Sequence, residues 1–259
     1  VLQLPVVDKL GVVVGLEVMQ ELLNVGAINN TVVLMAGGFG IRLRPLTDDT
    51  PKPMLKVAGK PILESILDQF IEQGFHKFFI SVHYRKEVVK EFFEDGSRWG
   101  VSIQYLEEET PLGTAGALSL LPKPELDLPV IVMNGDLLTT VNFVELLKYH
   151  SLSKSNGSVC VRGYDLEIKY GVVKSLEGRI TELVEKPTEK FFVNAGIYVM
   201  DWALIQRIKR GGRFDMTDVL NEAITDNQII TMYPVHEAWL DIGAKEQYEE
   251  AIAAAVDIV

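Results

Sequence analysis

The sequence predicts an α/β fold in which a mostly parallel sheet carries helices on both faces. Between Thr31 and about Phe143, short apolar runs rich in β-forming residues alternate with segments whose apolar residues recur every three or four positions. The chain has 259 residues, 47% of them hydrophobic, which is enough to bury the core of one large domain. No internal repeat or low-complexity tract divides it.

The elements follow in order along the chain. The predicted strands are residues 32–35, 78–82, 101–106 and 130–133, and the predicted helices are residues 62–72, 86–93 and 115–121. After Gly157 the predicted strands are residues 158–164, 171–176 and 179–184, with a turn at Glu177-Gly178 between the last two. We expect these later strands to form a smaller, largely antiparallel extension that supplies a second wall to a cleft. Residues 244–256, rich in Ala and Glu, are predicted as a closing helix.

Charge and composition exclude several classes of protein. The net charge of −11 argues against a nucleic-acid-binding surface, because phosphate-backbone binding needs clustered Lys and Arg. The sequence contains no run of eighteen apolar residues and no signal peptide, so we expect a cytoplasmic protein without membrane insertion. The single cysteine, Cys160, is expected in the core, and His76, His83, His150 and His236 show no metal-like spacing.

The most informative stretch is residues 34–47, Leu-Met-Ala-Gly-Gly-Phe-Gly-Ile-Arg-Leu-Arg-Pro-Leu-Thr, followed by Thr-Pro-Lys-Pro-Met at 50–54. An apolar strand that ends in glycines lets backbone N–H groups come close to an anion, and nearby cations add positive charge. The candidate phosphate-binding residues are Ala36, Gly37, Gly38, Gly40, Arg42 and Lys52. Two other glycine motifs are excluded: no Gly-Lys-Ser/Thr follows, and Leu43 stands where a dinucleotide fingerprint has its third glycine.

This stretch resembles the phosphate-binding motif of the sugar-1-phosphate nucleotidyltransferases, the group that contains mannose-1-phosphate guanylyltransferases and glucose-1-phosphate thymidylyltransferases. The resemblance extends from Thr31 to about Val256 and implies a Rossmann-like sheet with a sugar-binding extension. It implies that the glycine loop and Arg42 hold the triphosphate and stabilise the leaving pyrophosphate, with help from Lys52. One position departs from the family pattern: Ile41 stands where Ser or Thr is usual, so only backbone N–H groups can contact phosphate there.

A second motif, residues 112–117, reads Leu-Gly-Thr-Ala-Gly-Ala and would let a flat ring approach the backbone. It resembles the family's Leu-Gly-Thr-Ala segment, which contacts the nucleotide base and nearby sugar, so Gly113 and Thr114 are candidate nucleotide contacts. The segment is closest to guanylyltransferases and to uridylyl- or cytidylyltransferases. We therefore expect GTP as the nucleotide, with UTP, CTP and dTTP as alternatives.

Two carboxylates are candidate metal ligands. Asp136 ends the apolar strand that begins at Val130, and Asn134 and Gly135 just before it are further candidate nucleotide contacts. Residues 238–243, Ala-Trp-Leu-Asp-Ile-Gly, resemble the family's Trp-x-Asp-x-Gly segment, which makes Asp241 the second carboxylate. The resemblance implies that both bind Mg²⁺, a cation that shares carboxylate ligands with substrate phosphates.

Two further motifs point to an acceptor sugar. Residues 184–187, Val-Glu-Lys-Pro, match the family's Glu-Lys-Pro, which implies that Lys186 binds the sugar phosphate and Glu185 a sugar hydroxyl. Residues 194–198, Asn-Ala-Gly-Ile-Tyr, match its sugar-contacting Asn-x-Gly strand, which makes Asn194 and Gly196 candidate substrate contacts.

The resemblance thus implies a Mg²⁺-dependent enzyme that transfers a nucleoside monophosphate from an NTP to a sugar 1-phosphate and releases pyrophosphate. Such a reaction needs positioning and charge neutralisation but no general base, because both reactants are already charged. The expected partners are the NTP and the sugar 1-phosphate, without nucleic acid or membrane. The family often forms homo-oligomers, and the sequence leaves the oligomeric state open. One alternative is a catalytically silent regulator on the same fold. Another is a nicotinamide-dependent oxidoreductase, although the glycine fingerprint of a dinucleotide-binding site is broken in this sequence.

Residues 1–28 do not fit the alternating scheme. Their predicted strands at 4–8 and 11–16 and predicted helix at 18–23 resemble the closing strand–strand–helix of a cystathionine-β-synthase-type (CBS) domain. The resemblance implies a remnant of a CBS-like regulatory domain over residues 1–28 and a catalytic domain over residues 29–259. The alternative is an ordinary hairpin and helix that lead into the catalytic domain.

Overall fold

The computed structural model describes residues 3–7, 12–18 and 26–258. Its strands in that part of the chain are β1 Gln3–Val7, β2 Val13–Val18, β3 Ile28–Met35, β4 Lys56–Val57, β5 Lys60–Pro61, β6 Phe75–Val82, β7 Ser102–Glu107, β8 Val130–Asn134, β9 Leu137–Thr139, β10 Gly157–Glu167, β11 Val172–Leu176, β12 Arg179–Val184, β13 Thr188–Met200, β14 Ile230–Pro234 and β15 Trp239–Asp241. Its helices are α1 Ile62–Glu72, α2 Lys86–Phe93, α3 Gly113–Gly116, α4 Phe143–Leu152, α5 Trp202–Ile205, α6 Met216–Thr225 and α7 Lys245–Ile258. Within the described ranges, no helix combines the length and apolar character that crossing a membrane requires.

A seven-stranded sheet lies at the centre, in the order β14-β10-β13-β8-β3-β6-β7. β8, β3, β6 and β7 are parallel to one another, and β14 is parallel to β10. Only β13 runs antiparallel to its neighbours in this sheet. The predicted α/β fold with a mostly parallel sheet is therefore confirmed, and α1 and α2 have the bounds expected from the sequence.

Both faces of the sheet are covered by apolar cores. Val32 and Leu34 belong to one core cluster, which also contains the buried face of α1, and Val33 belongs to the other, with the buried face of α6. This division follows from the strand geometry, because successive side chains of a strand point to opposite faces. Cys160 is fully buried in the first cluster, as expected.

The predicted smaller antiparallel extension is present, but it begins within the central sheet. The first part of β10 and the last part of β13 are strands of the central sheet, held by β14 and β8 on their outer sides. Only residues 162–167 and 188–193 continue outward as a two-stranded ribbon, and the β11–β12 hairpin follows it. The strand pattern along the chain shows where strands lie, but their partners depend on tertiary contacts.

The helix predicted at residues 115–121 is also different. A single turn, α3, is followed by a 3₁₀ segment, Ala117–Leu120. The N–H groups of Ala115 and Gly116 both donate to the carbonyl oxygen of Phe214, at 2.9 and 3.2 Å. A neighbouring loop therefore binds backbone groups at the start of this segment, where sequence periodicity alone predicts a longer helix.

At the N-terminus, β1 and β2 pair antiparallel, as predicted for the first two strands. Val18, predicted as the first helical residue, is instead the last residue of β2 and pairs with Gln3. Residues 19–23 of the predicted helix lie outside the described residues. Ile28, assigned from the sequence to the N-terminal unit, is the first residue of β3, where its N–H donates to the carbonyl of Gly74.

Candidate functional site

A cleft with a volume of about 310 Å³ opens at the carboxyl ends of β3, β6, β7 and β8. This is the edge where parallel α/β sheets bind ligands. Seven of the candidate residues identified from the sequence line it, namely Ala36, Gly37, Gly38, Lys52, Gly113, Thr114 and Asn134, together with the candidate metal ligand Asp136. The structure thus brings the glycine loop, the base segment and one carboxylate together.

The glycine loop lies against the end of β7. A Cβ atom on Gly37 would lie 2.6 Å from Oε1 of Glu108, so a side chain at this position would displace the Glu108 carboxylate. The Ala36 N–H donates to the Ser81 carbonyl at 3.0 Å, and the Thr47 hydroxyl donates to the Gly40 carbonyl at 2.8 Å. Gly40 therefore stabilises the loop and does not line the cleft, whereas Gly37 lines the cleft.

Arg42 lies outside the lining of the cleft. It is exposed in the 3₁₀ turn Ile41–Leu43. Its guanidinium lies beside Gly243, where a Cβ atom would be 3.6 Å from both terminal nitrogens. Arg42 is therefore close to the Asp241 segment, on the metal side of the glycine loop.

Lys52 and Asp136 form an ion pair at the floor of the cleft. The Lys52 side chain is only 10% exposed, and Nζ contacts Oδ2 of Asp136. The other carboxylate oxygen, Oδ1 of Asp136, is buried and has no hydrogen-bond partner among the described residues. A buried carboxylate oxygen without a partner is costly unless a cation or another donor binds it.

Asp241 lies beside Asp136 because β15 pairs antiparallel with β9, the strand that directly follows Asp136. Asp241 is opposite Leu137 in this ribbon, and the Ile242 N–H donates to the Asp136 carbonyl at 3.1 Å. Burial raises the pKa of Asp241 and the Asp136 carboxylate raises it further, while Lys52 and Arg42 act in the opposite direction. The two carboxylates thus repel each other at a corner beside the cleft, which Asp136 lines and Asp241 does not.

This corner fits a hard divalent cation. Asp136 offers an unpartnered oxygen, Asp241 adds a second carboxylate, and a cation would relieve the repulsion between them. No group of three or more His, Cys, Asp or Glu side chains within the described part of the chain could form a complete protein cage. Mg²⁺ suits such a corner because it commonly takes one or two carboxylates and completes its shell with substrate phosphates and water.

The base segment is held by a loop that sequence reasoning missed. Oδ1 of Asp215 accepts a hydrogen bond from the Thr114 N–H at 3.1 Å, and the Thr114 hydroxyl accepts one from the Met216 N–H at 2.8 Å. Asp215 and Arg213 also line the cleft. The sequence marks this loop only by the pair Gly211-Gly212 and by an Asp just before a helix, and only the fold brings it to Thr114.

Glu108 is the other missed residue. It is 7% exposed, lines the cleft, and accepts hydrogen bonds from the Ser81 hydroxyl at 2.6 Å and the Leu112 N–H at 2.9 Å. The rule that singled out Asp136 would have found it, because Glu108 also directly follows a strand of the parallel sheet. Its carboxylate lies between the glycine loop and the base segment.

The acceptor residues divide into two groups. Gly196 lies against the cleft residue Asn134, since a Cβ atom there would be 2.7 Å from the Asn134 side-chain nitrogen, and Asn194 donates to the Tyr198 hydroxyl at 2.7 Å. Glu185 and Lys186 are exposed at the turn between β12 and β13 and do not line the cleft. Gly135 also lies outside the lining, where its N–H donates to the Met35 carbonyl at 2.8 Å.

Comparisons with known proteins identify relatives of this chain. Mannose-1-phosphate guanyltransferase of Gibberella zeae is 30% identical over 224 residues, 83% of this chain and 61% of the relative. Mannose-1-phosphate guanylyltransferase catalytic subunit beta of Drosophila pseudoobscura pseudoobscura is 33% identical over 241 residues, 86% of this chain and 63% of the relative. The chain therefore spans less than two thirds of the length of these curated relatives.

The same fold occurs in the crystal structure of HddC from Yersinia pseudotuberculosis complexed with GMP-PN. That structure has a TM-score of 0.69 and 23% identity, and the alignment covers 87% of this chain and 99% of HddC. The family model described as nucleotidyl transferase matches residues 31–257, which include the glycine loop and both carboxylates. The chain therefore belongs to the nucleotidyl transferase family.

Proposed function

We propose that this chain transfers GMP from GTP to a sugar 1-phosphate in the presence of Mg²⁺ and releases pyrophosphate, giving a GDP-sugar. Membership of the nucleotidyl transferase family supports the reaction class. The names of the curated relatives support guanylyl transfer and make mannose 1-phosphate the first acceptor to test. A guanine nucleotide analogue in a neighbour of the same fold agrees with the choice of base.

The observation that carries the choice of GTP is the Glu108 carboxylate. Guanine presents two adjacent donors, the ring N1–H and the exocyclic amino group, and a carboxylate can accept from both. Uracil and thymine present one ring N–H between two carbonyls, and cytosine has an acceptor where guanine has its N1–H. Glu108 lies next to Gly37 and Leu112, between the elements proposed to hold phosphates and base, so its charge favours guanine.

The side chains of the cleft would position the two substrates and stabilise the negative charge on their phosphates. An oxygen of the sugar phosphate attacks the α-phosphorus of the nucleotide in line, and the bond to the pyrophosphate oxygen breaks. When bound, Mg²⁺ would neutralise negative charge on the phosphate oxygens, with Asp136 and Asp241 as its protein ligands. The glycine loop, Arg42 and Lys52 would stabilise the departing pyrophosphate. The acceptor is already anionic, so no side chain has to remove a proton.

The acceptor sugar is proposed to bind between Asn194 and Gly196 on one side and the β12–β13 turn on the other. Lys186 would neutralise the sugar phosphate and Glu185 would accept from a sugar hydroxyl. The residues before β3 are proposed to lie outside the catalytic machinery, as a remnant of a regulatory CBS-like unit. The start of the family match at residue 31 is compatible with that proposal.

The proposal is tested by pyrophosphate release from GTP, UTP, CTP and dTTP, each with mannose 1-phosphate, glucose 1-phosphate and galactose 1-phosphate. GTP is expected to be used best, with mannose 1-phosphate as the preferred acceptor of the three. Turnover with another nucleotide at least tenfold above GTP would overturn the choice of base. Absence of pyrophosphate release with every pair would favour the catalytically silent alternative.

A further inference from the structure

We propose that Trp239 is a positioning residue that ties the acceptor-binding strand β13 to the strand that carries Asp241. The proposal rests on the proposed function, because it takes Asn194 and Gly196 as acceptor contacts. Its central observation is a hydrogen bond from the indole Nε1–H of Trp239 to the carbonyl oxygen of Ala195, at 2.9 Å. Ala195 is the residue between the two proposed acceptor contacts and is fully buried.

On the acceptor side, this hydrogen bond reaches an irregular part of β13. Val159 pairs with Tyr198 and Val161 with Asn194, so residues 195–197 lie opposite the single residue Cys160. Such a bulge interrupts the regular ladder and redirects the side chains beside it. A strand held by fewer ladder bonds needs other contacts to keep its shape, and the Trp239 indole supplies one at the first residue of the bulge.

The bulge sets the position of both acceptor contacts. Gly196 has a φ of 72°, which other residues adopt only with strain, and its N–H donates to Oδ1 of Asn194 at 2.9 Å. Asn194 in turn donates to the Tyr198 hydroxyl. Gly196 also leaves no room for a Cβ atom beside the Asn134 side chain, which lines the nucleotide cleft. A shift of Ala195 would therefore move the acceptor contacts relative to the nucleotide side.

On the metal side, Trp239 is the first residue of the three-residue strand β15, which ends in Asp241. β15 is held by pairing with β9 and by the Thr139 hydroxyl, which donates to the Ala238 carbonyl at 2.7 Å. Because the strand is so short, its first residue strongly influences where its last residue lies. Trp239 thus connects two strands that carry the proposed acceptor contacts and a proposed metal ligand.

The competing explanation is that Trp239 only fills space, since its ring packs against the first core cluster. The variant Trp239→Phe separates the two roles because it keeps an aromatic ring and removes the N–H donor. Trp202 provides a matched control: it is also partly buried, but its Nε1 is buried without a hydrogen-bond partner among the described residues. Trp202→Phe therefore changes a ring without removing a hydrogen bond.

The experiment measures KM and kcat for GTP and for the sugar 1-phosphate, and calorimetric binding of the sugar 1-phosphate, for the full chain and both variants. Loss of one neutral hydrogen bond predicts a rise of about two- to tenfold in the acceptor KM and Kd of Trp239→Phe. Its GTP KM is expected to stay within about twofold, and Trp202→Phe is expected to match the unmodified chain in all four values. Thermal unfolding checks folding, and Trp239→Leu, which also lacks a donor, replaces Trp239→Phe if the latter does not fold.

A double-mutant cycle with Asn194→Ala tests whether Trp239 acts through the bulge. If it does, adding Trp239→Phe to Asn194→Ala changes acceptor binding by less than it does in the unmodified chain. Equal acceptor binding by Trp239→Phe and Trp202→Phe, or full additivity in the cycle, overturns the inference while leaving the proposed function intact. Absence of pyrophosphate release by the unmodified chain with every nucleotide and sugar would overturn both.

Discussion

Asp241 lies near Asp136 because two three-residue strands, β15 and β9, pair with each other. In this pairing Asp241 is opposite Leu137, the residue directly after Asp136. A backbone hydrogen bond also joins the two segments, since the Ile242 N–H donates to the Asp136 carbonyl at 3.1 Å. Two carboxylates far apart in the sequence are thereby held close together, one lining the cleft and the other just outside its lining.

Asp136→Asn is expected to lower Mg²⁺-supported transfer by at least about a hundredfold with every sugar 1-phosphate, because it removes a negative ligand from the proposed metal corner. Steady-state pyrophosphate release over a Mg²⁺ titration measures the effect. Chelation of divalent metal should abolish activity of the unmodified chain, and added Mg²⁺ should restore it.

Asp165→Asn is the matched control, because Asp165 is exposed on the outer ribbon. It is expected to behave like the unmodified chain. Since Lys52 pairs with Asp136, thermal unfolding of Asp136→Asn must show that the protein is still folded. A folded Asp136→Asn protein with normal Mg²⁺ dependence would exclude Asp136 as a metal ligand.

Lys186→Ala is expected to impair use of the sugar phosphate while GTP binding stays nearly intact. Loss of a charge-assisted contact worth about 1.5–3 kcal/mol predicts a fall of roughly ten- to a hundredfold in acceptor affinity or turnover. The measurement is calorimetric binding of GTP in the presence of Mg²⁺ beside kinetics in the sugar 1-phosphate. Lys190→Ala, which removes an exposed lysine from the adjacent strand β13, is the control. Loss of GTP binding with normal acceptor kinetics would place Lys186 on the nucleotide side.

Glu108→Gln is expected to reduce the preference for GTP over UTP by about tenfold or more. The change replaces one acceptor oxygen by an NH₂ group that faces guanine donors, and a hydrogen bond to a charged group contributes about 1.5–3 kcal/mol. The ratio of kcat/KM for the two nucleotides measures it. Glu109→Gln alters the exposed neighbour and should leave the ratio unchanged. An unchanged ratio in Glu108→Gln as well would remove Glu108 from base selection.

A chain that begins at Gly26 is expected to keep its activity, because every proposed catalytic residue follows β3. The cut is placed before Ile28, which belongs to β3 and whose N–H donates to the Gly74 carbonyl. Pyrophosphate release and thermal unfolding of the shortened and full chains provide the comparison. A shortened chain that folds but is inactive would show that the first 25 residues contribute to chemistry.

Much of the fold was predictable from local pattern. The bounds of α1 and α2 and the turn at Glu177-Gly178 follow from periodicity and turn chemistry, which are properties of neighbouring residues. Ala36 and Asp136 were found for a similar reason, because each follows an apolar strand and parallel strands place such ends at one edge. Glu108 obeys the same rule, and a stricter application of it to the strand before residue 108 would have included it.

The local sequence pattern, however, does not show which distant segments of the chain contact each other. Periodicity shows which side of a strand is apolar, but strand partners follow from how the whole chain packs, so neither the β9–β15 ribbon nor the bulge of β13 was visible in the sequence. The sequence alone was enough to identify the four parallel strands β3, β6, β7 and β8, the glycine loop and the carboxylate at the end of β8. The contacts of Asp241 with Asp136, of Asp215 with Thr114 and of Trp239 with Ala195 arise only in the folded chain, because each joins segments whose separation along the sequence carries no local signal.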